Sequence, residues 1–117
     1  MKIKWLAEPE AHDYPAAKSC LSLCMPDEDA HEAMVNLVVA PMTAFKAKDI
    51  LRMSREQLLT VDNQHVAKNA NKIHAGKALS PILLVRSANR LIIADGYHRV
   101  CAVYNLGEDE YIPCKII

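Results

Sequence analysis

The chain is poor in aromatic residues: one Trp, four Tyr and one Phe among 117 residues. That leaves too little flat π surface for a row of base-stacking platforms, and apart from Tyr97 at its end the basic middle of the chain has only Phe45 to offer one. Repeats and low-complexity tracts are absent, which excludes solenoid and linker-dominated architectures. No run of about 18 apolar residues could form a membrane-spanning helix, and no cationic leader precedes an apolar segment. The expectation is therefore a cytoplasmic protein with no membrane partner. Neither sign of charge is in excess, with 14 basic residues against 14 acidic ones.

What the chain does have is aliphatic bulk, since 51% of it is hydrophobic. One domain spanning 1–117 can bury a core of Leu, Ile, Val, Ala and Met, but the length does not stretch to two. The four cysteines, Cys20, Cys24, Cys101 and Cys114, read as reduced, because nothing signals secretion. Charge is unevenly spread: −4 over residues 1–40, +6 over 41–100 and −2 over 101–117. A basic middle segment suits a polyanion or a charged small ligand, and it suits equally an acidic segment folded against it.

Met1 to Leu6 alternates as a short strand or edge arm does. Ala16 to Cys24, with Pro15 in the first turn, and Asp27 to Val38, with acids crowding its start, predict a helical hairpin over residues 1–40. Ala17, Cys20, Leu21 and Cys24 should lie along one side of the first helix, the thiols buried in a helix contact. Ala30, Met34, Leu37 and Val38 should form the stripe of the second. Residues 41–117 then predict an extended Pro41 to Lys46, a helix Ala47 to Met53, and a capping box at Ser54-Arg55-Glu56-Gln57 opening a further turn through Leu59. Asp62 or Asn63 should cap a helix that runs to about His74 and ends at Gly76. Val66, Ala70 and Ile73 form its apolar face, and His65, Lys68 and Lys72 the opposite one. Leu79 to Val85 predicts a strand, and Ser87 to Arg90 a hairpin turn in which Asn89 tolerates positive φ. The last strand should be Tyr111 to Ile117.

The informative stretch is Leu91 to Gly107. An apolar run, Leu91 to Ala94, stops at Asp95-Gly96, and Val100, Val103 and Tyr104 then recur at helical spacing up to Gly107, where a left-handed residue ends a helix. Strand, tight turn and helix leave free N–H groups at the helix start, and His98 and Arg99 stand among them. Free donors, the positive end of the helix dipole and a guanidinium fork make an anion site, most naturally for phosphate. Gly96 lets the backbone turn sharply and approach a ligand. His98 can donate to an oxyanion or shuttle a proton, and Tyr97 can stack on a base or donate its hydroxyl. For Asp95 three roles fit, with the cap of the following helix ranked first, then a general base or a Mg²⁺ ligand. Lys68 and Lys72 are candidate phosphate partners, with His65 a weaker one.

Gly96-Tyr97-His98-Arg99-Val100-Cys101-Ala102 resembles the G-x-H-R-x-x-A signature of the ParB/sulfiredoxin superfamily, and the likeness extends from about Met42 to the C-terminus. The resemblance implies an α+β domain, a small mixed sheet with packed helices, here preceded by the N-terminal helical hairpin. It also implies a nucleoside di- or triphosphate as ligand, with or without Mg²⁺, and phosphoryl transfer or phosphate-anhydride hydrolysis as the reaction class if the domain is an enzyme. Asp95 and His98 are then the catalytic candidates. Sulfiredoxins carry their catalytic cysteine where this chain has Tyr97, so the resemblance does not extend to sulfinic-acid reduction. The alternatives are a DNA-associated regulatory or nuclease-type module, or an interaction module that uses the acidic hairpin.

Overall fold

The computed structural model describes residues 2–117; Met1, the first residue of the expected strand or arm, lies outside them. Five helices surround one four-stranded sheet. In chain order these are α1 (Asp13–Leu21), α2 (Asp27–Val39), β1 (Thr43–Lys46), α3 (Ala47–Ser54), α4 (Gln64–His74), β2 (Ile82–Arg86), β3 (Leu91–Asp95), α5 (Tyr97–Leu106) and β4 (Tyr111–Ile116). The expected α+β class is what the chain adopts. Strands lie in the order β1-β4-β2-β3, with β2 parallel to β4 and the other two pairs antiparallel.

The sheet is covered on both faces, and β2 shows why. Successive side chains of a strand point to opposite faces. Ile82 and Leu84 join a core with α3, α4 and α5, while Leu83 and Val85 join a second core with α1 and α2. A strand buried on both faces must be apolar throughout, which accounts for the unbroken Ile82-Leu83-Leu84-Val85 run. The helical hairpin of residues 1–40 is thus half of the domain's cladding. Ala17 and Leu21 from α1, and Ala30 and Leu37 from α2, are fully buried beneath it.

Buried Lys115 ties this layer down. Its ammonium donates to the Val38 carbonyl at 2.7 Å, pairs with Glu8 at 3.3 Å and lies 5.5 Å over the Tyr14 ring. A cation at the last turn of α2 also meets the negative end of that helix's dipole.

Several local expectations give way. The arm is reduced to a single bridge between Trp5 and Leu79. α1 starts at Asp13, three residues before the expected Ala16, and only Ala17 and Leu21 of its expected stripe face the sheet; Cys20 and Cys24 are exposed. On α2, Ala33 is buried in place of Val38. Ser54 opens no helix. It ends α3, its hydroxyl donating to the Leu51 carbonyl at 2.8 Å, and Arg55 turns the chain at φ 58°. Leu58 and Leu59 can then lie over the core in a non-helical segment. Arg55 is the one non-glycine residue with positive φ among those described, so Asn89 does not take it; the Ser87 N–H donates to the Arg90 carbonyl across that turn at 3.2 Å. Gly107 is extended, at φ −173°, where a left-handed residue was expected, whereas Gly76 after α4 does take one at 72°.

Candidate functional site

The site is built at the junction of β3 and α5. Gly96 turns the chain there at φ 109°, and a Cβ at this position would stand 2.8 Å from Ile82 Cδ1 and 2.9 Å from an Arg99 nitrogen. Only glycine fits both the dihedral and the space. Beyond it α5 begins with no side chain accepting from the N–H groups of its first turn. Those donors, and the positive end of the helix dipole, are left open.

Helix α4 packs beside α5. Its own start is closed by Asn63, whose side-chain oxygen accepts from the N–H groups of His65 at 2.9 Å and Val66 at 3.2 Å. Val66, Ala70 and Ile73 go into the core as expected, so His65, Lys68 and Lys72 turn outward. The result is a cleft of about 240 Å³ lined by His65, Lys68, Asn69 and Lys72 from α4 and by the whole run Asp95 to Arg99. The structure therefore brings every residue singled out at the turn together with both lysines. Asn69 is an addition; its amide donates to the His65 carbonyl at 2.9 Å.

Each group at the turn has a defined state. Asp95 does not cap α5. Its carboxylate takes Arg99 instead, at 2.8 Å, and both side chains are more than four-fifths buried. With a guanidinium one helical turn away, a charge-assisted bond outcompetes a backbone N–H. The second contact of that Arg99 nitrogen is the Pro81 carbonyl at 3.5 Å, and Arg99 Nε is buried with no partner among the described residues. No group of three or more potential metal ligands occurs among them either. We accordingly read Asp95 as the partner of Arg99.

His98 lies 4.8 Å from His65, ring centre to ring centre, and 5.2 Å from Tyr97. Partial burial, and then the neighbouring imidazole, hold its pKa below the usual histidine value, so it is neutral near pH 7 and can accept or donate one hydrogen bond. Tyr97 is committed elsewhere: its hydroxyl donates to the Gln57 carbonyl, and its ring packs on the core. It ties down the loop after α3, so its hydroxyl is not free for a ligand. Cys101, one turn later, is buried, and burial pushes its thiol pKa up. Cys114 behaves likewise, pushed up to about 11 by burial.

One residue at the site escaped sequence reasoning. Asp13, at the start of α1, is only 3% exposed. It accepts from the Ser80 hydroxyl and, at 3.0 Å, from the Glu10 N–H. Burial raises the pKa of Asp95; Arg99 opposes the shift, and the charge of Asp13 adds to it. Asp13 is anchored on Ser80, the residue before Pro81, whose carbonyl lies 3.5 Å from an Arg99 nitrogen, so the hairpin reaches the chain that backs Arg99. No local pattern pairs residues so distant in the chain. An acid in a first turn reads as a response to the helix dipole and nothing more.

No protein-family model, curated protein or solved structure matches the chain. The geometry by itself defines a class: an α+β domain with a polar, cation-lined cleft at a glycine turn. No helix among the described residues is long and apolar enough to cross a membrane.

Proposed function

We propose that the domain binds the phosphate groups of a nucleotide in this cleft, as a ParB/sulfiredoxin-like fold would. The observation that carries the reading is the convergence, within about 240 Å³, of the uncapped first turn of α5 with Arg99, Lys68, Lys72 and His98. Backbone donors fix the position of an oxyanion, and a guanidinium with two ammonium groups neutralises its charge. Such a site positions a phosphoryl group and spreads its charge, which is most of what phosphoryl transfer or hydrolysis asks of a protein. His98, neutral and beside the turn, is the group available to move a proton. Asp95 is engaged by Arg99 and acts through it.

Calorimetric titration with ATP, ADP and CTP in the presence of Mg²⁺ tests the reading. Wild type should bind at least one of them, and Arg99→Ala should weaken that binding by about tenfold or more, the equivalent of one charge-assisted bond of about 1.5 kcal/mol. Silence from wild type at millimolar nucleotide would sink it.

A second reading, DNA association, draws on a different surface. The outer side of α4 continues from Lys68 and Lys72 to Lys77 in a shallow cavity lined also by Gln64, Ala67, Asn71 and Ala75, with no carboxylate among them. Phosphate contacts there would give gel-shift affinity that falls steeply with salt. No shift at low salt removes this reading.

A further inference from the structure

The N-terminal hairpin lies outside the signature region, yet it delivers a buried carboxyl to the back of the site. Arg99 is held from one side by Asp95, at 2.8 Å, and approaches the Pro81 carbonyl at 3.5 Å. Asp13 is anchored on Ser80, the residue immediately before Pro81, by the Ser80 hydroxyl, and the Glu10 N–H donates to Asp13 at 3.0 Å and to Ser80 at 3.1 Å. Ser80-Pro81 thus forms a short bridge with Asp13 on one side and the Arg99–Asp95 pair on the other. Arg99 lines the cleft, but its best acceptor belongs to the protein. An incoming anion has to compete with Asp95 for the guanidinium.

We propose that Asp95 is a proton-linked competitor for Arg99: it is more than four-fifths buried and paired with that guanidinium at 2.8 Å, so an anion that captures Arg99 leaves a buried carboxylate without its counter-charge and enters the cleft together with a proton. This rests on the anion-site reading above and adds its regulation. The exchange balances. Asp95 leaves its ion pair and takes one proton from solvent as the anion takes its place on Arg99; the new O–H bond is the one covalent change.

The groups that face Asp95 support this direction. From α1 and the turn before it come Asp13, with His12 at 3.4 Å from it and Glu10 beyond, and the thiol of Cys20. From α5 comes Arg99, with His98 alongside, and across the cleft α4 brings Lys68, Lys72 and His65. The partner strand brings only Leu83, in register with Asp95. Burial and the Asp13 charge favour the protonated acid, and Arg99 is the chief group opposing it. An anion that captures Arg99 removes that opposition.

Sulfate is the probe, because its charge stays constant across the range in which carboxylates titrate. Carboxyl ¹³C signals of Asp95 should be followed against pH in the full chain, with and without saturating sulfate, alongside the amide signals of Tyr97 to Arg99. The site-specific signal is needed because His98 also gains charge on acidification and would strengthen sulfate binding by itself. Sulfate should shift the α5 amides and raise the midpoint of Asp95. Its affinity should grow toward about tenfold per pH unit across that midpoint, the limit for one linked proton. Asp13→Asn should lower the midpoint in the free protein. The wild-type arm decides the matter even if that variant folds poorly. Amide shifts with an unmoved Asp95 midpoint overturn the coupling and leave the anion site standing; absence of amide shifts at every pH overturns both.

Discussion

Two neighbouring helices solve the same problem in opposite ways. Each begins with N–H groups that no preceding turn can satisfy. α4 closes its start with Asn63, which accepts two of those bonds in an extended conformation at φ −77° and ψ 127°. α5 begins with Gly96 in the left-handed region, has no side chain to offer, and is preceded by an acid that has turned to Arg99. The first start is complete within the chain. The second is rigidly framed and left open, and the polar face of the first supplies the lysines around it. An open helix start gives up local stability, and it makes sense where something from outside completes it.

The comparison breaks most severely at Gly96. In Gly96→Ala the left-handed conformation and the 2.8 Å approach to Ile82 cannot both be kept. Strain of this kind costs about 1–3 kcal/mol, and overpacking against the fully buried Ile82 a similar amount. The expected loss is about 3 kcal/mol, read as a lower midpoint in urea at unchanged slope. A midpoint within error of wild type would mean that the turn has room it does not show.

The sheet and the strand-turn-helix unit were legible because their signal is periodic and local. Ile82 to Val85 is apolar without interruption, α4 separates its faces cleanly, and Asp95-Gly96 punctuates between β3 and α5. What failed was decided at a distance. Ser54-Arg55-Glu56-Gln57 carries the residues of a capping box, but Arg55 turns left-handed so that Leu58 and Leu59 can reach the core. Cys20 and Cys24 fall at helical spacing with Ala17 and Leu21. α1 ends at Leu21, so Cys24 falls beyond the helix, and of the remaining stripe only Ala17 and Leu21 are buried, which leaves both thiols exposed. Asp95 follows a strand and precedes a helix, as a capping residue should; Arg99, one turn on, outbids the backbone for it. At the site, the residues of the turn were readable and their neighbours from α1 were not, since no sequence rule joins Asp13 to Asp95.

The opposite helix start sharpens the comparison by a smaller effect. Asn63→Ala leaves the His65 and Val66 N–H groups without their acceptor and should cost about 1 kcal/mol, with Asn63→Asp or Asn63→Ser keeping most of it. Equal stability of the alanine and serine variants in chemical denaturation would show that water caps α4 as well as Asn63 does. The lysines would then owe their placement to packing alone.

The smallest expected effect concerns the imidazole between the two helices. The pKa of His98 is lower in the folded chain than when unfolded, through burial and then His65. The unfolded chain consequently binds the proton first on acidification, and stability must fall as pH drops from about 6.5 toward the folded-state value. Above about 6.5 both states are neutral at this position and its contribution is flat. Asp95 has the opposite sign, since its pKa is raised: its contribution is complete below the unfolded carboxylate value and is lost as pH rises through the folded one. The two contributions are separable by variant. His98→Gln should flatten the mildly acidic limb of the stability profile and leave the more acidic part unchanged. If the limb persists in that variant, the proton enters elsewhere, and the open helix start does not hold its neighbour neutral.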